Sequence, residues 1–128
     1  MRYDRTIRLQ ADFPTTVQRV RDALATQGFG VLTEIDVAAT LKAKLGQDME
    51  DYLILGACNP TLAHQALEAD RTIGLLLPCN VVVRAEGTTT VVQALDPNTM
   101  VTLTERPDIE PVAAEATRRL DAALAALT

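Results

Sequence analysis

The stretch Leu53–Arg84, LILGACNPTLAHQALEADRTIGLLLPCNVVVR, constrains this chain more than any other. It holds both cysteines, the single histidine and the densest apolar runs. Two prolines punctuate it. Pro60 tolerates the first turn of a helix whose start Asn59 can cap, so the β-rich run Tyr52–Ala57 ends at Cys58 and a helix follows. Leu62, Ala63, Ala66 and Leu67 form the buried stripe of that helix. Pro78 has no amide to give to a ladder, so the extended run Ile73–Leu77 must end, bulge or lie on an edge there. Extended structure resumes over Asn80–Glu86, and Gly87 turns the chain into the returning arm Thr88–Leu95.

The flanks supply the rest of a small domain. Thr6–Gln10 alternates like a strand. Asp12-Phe13-Pro14 opens a helix whose Phe13, Val17, Val20 and Leu24 share one face, and Gly28 stands where a left-handed cap is wanted. Phe29–Ile35 reads as a strand, and Asp36 caps a short helix lined by Val37, Leu41 and Leu45 before Gly46. After the turn Asp96-Pro97-Asn98, Met100–Thr104 alternates like a further strand. Asp108 precedes the last helix, with Ile109, Val112, Ala116, Leu120, Ala123, Leu124 and Leu127 as a broad apolar stripe. Strands gather late in the chain, which favours an α+β two-layer sandwich, helices packed on one mixed β-sheet, over a doubly wound parallel sheet. No linker or repeat divides residues 1–128, so a single domain is expected, large enough to bury roughly two thirds of its extended surface.

Composition prunes the functions. The net charge of −5 argues against nucleic acid or an anionic membrane as partner, and a basic bias at Arg2, Arg5, Arg8, Arg19 and Arg21 reads as solvated faces. No run is long enough to span a bilayer and the start has no apolar leader, so a cytoplasmic chain with reduced thiols is expected. There is no serine for a serine nucleophile, and one histidine cannot build a multi-histidine metal centre. Lys42 and Lys44 flank apolar residues of a helix and read as solvated charges. The acidic turn Asp48, Glu50, Asp51 lacks calcium-loop spacing. Gly28-Phe29-Gly30 follows a helix instead of opening one, so it is no dinucleotide fingerprint.

The cysteines invite chemistry. Each has a proline and an asparagine beside it, as Cys58-Asn59-Pro60 and Pro78-Cys79-Asn80. A thiol next to the free amides of a helix start has a lowered pKa and serves as a nucleophile or a soft-metal ligand. If Ile73–Leu77 lies parallel to Tyr52–Ala57, both thiols reach one rim, with His64 one turn inside the helix as a third donor. Such a set suits copper(I) or zinc, or thiol redox and sulfur handling. Against this stand the long spacing between the cysteines, which matches no zinc pattern, and the habit of free cysteines to pack as small hydrophobes. In that second reading the chain is a homodimeric interaction module. In a third, backbone amides near Asn59 and Asn80 hold a small-molecule anion.

Several runs together resemble a known family: Gly28-Phe29-Gly30-Val31-Leu32, Ile54–Pro60, Ala66-Leu67-Glu68, Ile73–Val83, Asp96-Pro97 and the closing helix. They are similar to the bacterial and archaeal family called domain of unknown function 302, over nearly the whole chain. The resemblance implies a small two-layer α/β domain able to dimerise. It assigns no activity. It also marks Cys58, Asn59, Pro60, Pro78, Cys79 and Asn80 as candidate site residues.

Overall fold

The structure, a computed structural model, describes residues 2–128. In chain order it comprises β1 (Asp4–Leu9), α1 (Phe13–Thr26), β2 (Gly30–Asp36), α2 (Val37–Leu45), β3 (Tyr52–Cys58) and α3 (Pro60–Ala69). A 3₁₀ turn (Arg71–Leu76), β4 (Cys79–Glu86), β5 (Thr89–Leu95), α4 (Asn98–Thr104), a 3₁₀ turn (Pro107–Ile109) and α5 (Glu110–Ala125) complete it. The strands form one sheet in the order β1-β5-β4-β3-β2. Helices pack on it in an α+β sandwich, as the sequence predicts. No helix among the described residues is long and apolar enough to cross a membrane.

Local chemistry sets the helix ends. Asp12, Asp36 and Asn59 each accept a hydrogen bond from the backbone amide three residues on, at 2.8, 2.9 and 3.2 Å. Each thereby satisfies an amide that the first helical turn leaves free. Gly28 and Gly46 follow α1 and α2 with φ of 82° and 67°.

The sheet is antiparallel throughout, where a mixed sheet was expected. The difference arises at Ile73–Leu77, which is mostly a 3₁₀ turn and not a strand. Asp70 accepts from the Thr72 amide at 3.0 Å and starts that turn. Ten residues of α3 carry the chain about 15 Å away from the end of β3, and six 3₁₀ residues bring it back about 12 Å. The chain therefore re-enters the sheet beside the point where it left, and β4 runs opposite to β3.

Met100–Thr104 is also helical, not a strand. Asp96 directs this: its carboxylate accepts from the Asn98 amide at 2.9 Å, and its carbonyl accepts from the amide of Thr99 at 3.0 Å. The threonine hydroxyls that make the segment look β-prone bond back along the helix instead, Thr104 Oγ1 to the Met100 carbonyl at 2.6 Å.

The apolar stripe of α5 serves two clusters. Leu120, Ala123 and Leu124 join α1 and the inner sheet residues Leu55, Val81, Val83 and Val92. Val112 and Ala116 pack with Leu62 and Ala66 of α3, Ile73 and Met100. By contrast, no residue of α2 is buried.

Candidate functional site

Strand register decides the fate of the two thiols. Cys79 pairs with Ala57 across β4 and β3, whereas Cys58 pairs with Gly30 of β2. Neighbouring residues of a strand point to opposite faces, so Cys79 shares the helix-covered face with Ala57 and Cys58 belongs to the other. The expected two-thiol site does not form: the chain positions come together at the top of the sheet, but the thiols are not near each other. Cys79 packs against the main core cluster, with its S–H directed to the Leu95 carbonyl at 3.7 Å. Burial pushes its pKa up to about 11, the opposite of the lowering that a metal ligand or nucleophile needs.

The expected third donor is absent as well. His64 is 75 % exposed on the outer side of α3, with Nε2 3.5 Å from Glu68 Oε1 one turn further on. Among the described residues no group of three His, Cys, Asp or Glu side chains is placed to hold a metal ion. The residues present do not fit copper(I) or zinc.

The neighbours of the cysteines have structural duties. Asn59 is buried and caps α3. Its amide group and Arg119 close over Gly28, where a β-carbon would lie 3.0 Å from Asn59 Nδ2 and 3.1 Å from Arg119 Nη1. Arg119 also donates to the Gln27 carbonyl at 3.2 Å and to Glu115 at 2.8 Å, tying the end of α1 to α5. Pro60 occupies the opening turn of α3. Pro78 leans over Gly56, whose hydrogen faces Pro78 Cγ and Thr33 Oγ1. A β-carbon there would lie 2.8 Å from the first and overlap the second. Asn80 is exposed on the uncovered face of the sheet.

Neither hydrophobic cluster draws a residue from that face. Across the register Ile35 lies beside Ile54, Ile54 beside Val82, Val82 beside Gln93 and Gln93 beside Thr6. The row is apolar over β2, β3 and β4 and polar over β5 and β1. The polar half is cross-braced within the chain. Arg8 and Arg84 both bond Glu86, at 3.2 and 3.1 Å, and Val91 between them is fully buried. These hydrogen bonds also hold the Glu86 carboxyl below its usual range. In the apolar half Ile54 and Val82 are half-buried and Ile35 is 49 % exposed.

The sequence does carry a signal for this face, but a misleading one. Val81-Val82-Val83 reads as a strand buried on both sides, and only the pairing shows that Val82 faces outward.

A family model described as Domain of unknown function DUF302 matches residues 5–127. The chain belongs to the DUF302 family. Its fold is similar to the crystal structure of an uncharacterized conserved DUF302 protein from Bacillus stearothermophilus, at 30 % sequence identity and a TM-score of 0.93. That similarity covers 100 % of both chains. A comparison with curated proteins finds no match. The resemblance seen in the sequence therefore holds, and so does the α+β architecture it implied for a DUF302 chain.

Proposed function

We propose that this DUF302 chain is a non-catalytic interaction module that works as a homodimer through the uncovered face of its sheet. The observation that carries this is the apolar row Ile35–Ile54–Val82, set on the face from which neither core cluster draws a residue. An antiparallel sheet tolerates one wet face when that face is polar, but here half of it is aliphatic. A second copy is the simplest cover, because a two-fold axis matches an apolar patch with itself.

Two further features support the reading. The accessible surface of 7159 Å² exceeds the roughly 6600 Å² expected of a compact monomer of 13.8 kDa. The two sheet edges also differ. β1 presents Asp4, Arg5 and Arg8, charges of the kind that discourage edge contacts, while β2 exposes Leu32 and Ile35 beside Glu34 and Asp36.

Sedimentation equilibrium tests the proposal. The wild-type chain is expected at twice its monomer mass at micromolar concentration, and Val82→Glu or Ile54→Glu at the monomer mass with an unchanged circular-dichroism spectrum. A wild-type chain that stays at the monomer mass up to about 100 μM, where even a weak contact would register, refutes it.

A further inference from the structure

Two neighbouring hollows lie on the helix side of the sheet. The outer one, of about 340 Å³, lies between Tyr3, Thr102 and Leu103 at the surface and Leu76, Leu95 and Met100 within. Those last three residues also line the inner hollow, of about 50 Å³, together with Phe29, Asn59 and Cys79. Together they reach the range of small-molecule sites, about 300–1,000 Å³. The inner end is also where the sequence runs Gly28–Leu32, Ile54–Pro60, Ile73–Val83 and Asp96-Pro97 meet, since each contributes a residue to its wall.

The wall is chemically uniform. None of the residues lining either hollow is charged, in a chain where 23 % of residues are. Several of its polar atoms are already engaged. Asn59 Oδ1 accepts from the Leu62 amide, Thr99 Oγ1 donates to the Asp96 carbonyl at 2.6 Å, and Thr102 Oγ1 to the Asn98 carbonyl at 3.4 Å. An occupant therefore finds no charge to pair with and a wall that is mostly hydrocarbon, so the part that enters deepest must be uncharged and apolar. The size adds a second constraint, because the inner hollow, at about 50 Å³, has room for a chain end but not for a ring system. Leu103, 68 % exposed, and Tyr3, 66 % exposed, extend the apolar path to solvent at the mouth.

The geometry points to a binding site for a single alkyl or acyl chain, inserted tail first towards Asn59, with its polar head left in water at Leu103. This rests on the hollows alone and not on the homodimer.

Calorimetric titration with n-alkanols and n-alkyl carboxylates of increasing length, kept below micelle-forming concentrations, tests it. Affinity is expected to rise about fourfold per methylene until the hollow is full, then to level off, with little difference between the two head groups. Leu103→Asp, at an exposed position that leaves the fold intact, should weaken binding at least tenfold by placing a charge in the apolar mouth. Ala66→Leu, which fills the inner end, should shorten the longest chain accommodated. Val82→Glu should leave binding unchanged. The proposal is overturned if binding does not saturate or ignores chain length. It is equally overturned if Leu103→Asp alters the sedimentation mass while leaving ligand affinity as it was, which would make the mouth a protein contact.

Discussion

The placement of Cys79 sets a rate that can be measured. Raising a thiol pKa from 9.0 to about 11 lowers the thiolate fraction at pH 8 from about one in ten to about one in a thousand. In a Cys58→Ser background Cys79 is the sole thiol, so iodoacetamide reports on it alone. The native protein should react about 100-fold more slowly than the same chain in urea, and its rate should climb tenfold per pH unit until about pH 11. Linkage gives the same pKa change a sign in stability. Between pH 9 and 11 the unfolded thiol releases its proton and the native one keeps it, so stability is intact below about 9 and falls as pH rises towards 11. Two pKa units correspond to about 3 kcal/mol, a large part of the ~5–15 kcal/mol that holds a domain folded. Urea midpoints of the Cys58→Ser chain should fall across that window relative to the Cys58→Ser, Cys79→Ala double variant. Alkylation at pH 8 within tenfold of the unfolded rate, or a plateau near pH 9, would refute the argument and return Cys79 to the list of reactive thiols.

Two other outcomes follow from the contacts around α3 and α5. Gly28→Ala forces an alanine to φ 82° and pushes its β-carbon against Asn59, a loss of about 2–3 kcal/mol and about 8 °C in Tm. The Gly28→Ala, Asn59→Ala double variant should lose less than the sum of the singles, and additive losses in thermal unfolding would exclude the proposed contact. Glu115 is held at about 2 by hydrogen bonds from Arg118 and Arg119, well below its ordinary 4.5. Its stabilisation is present above pH 4.5 and lost as pH falls towards 2, so Glu115→Gln should flatten the acid limb of the urea-midpoint curve over that window.

What the sequence discloses about this fold is what neighbours along the chain can decide among themselves. Asp12, Asp36 and Asn59 cap helices because a short polar side chain reaches the amide three residues away whatever the rest of the protein does. The α5 stripe, from Ile109 to Leu127, is buried at every position that its spacing selects. Errors begin where local pattern and tertiary demand part. Ile73–Leu77 and Met100–Thr104 have β-prone compositions, yet Asp70 and Asp96 start tight turns just ahead of them and those turns prevail. Sheet direction could not be read at all, since it depends on how far the segment after α3 travels back.

The two-thiol expectation failed on parity, and the same parity creates the surface proposed as the interface. Had β4 been paired one residue out of register, Cys79 would share a face with Cys58, and Val82 would turn inward while Val81 and Val83 turned out. The observed register does the reverse, burying Val81, Val83 and the Cys79 sulfur against α1 and α5. It leaves Val82 outside with Ile54 and Ile35. A protonated thiol packed on the core and a partly exposed aliphatic row are thus two consequences of one alignment. Val82→Glu tests the row and iodoacetamide tests the thiol, so the alignment can be checked from both sides of the sheet.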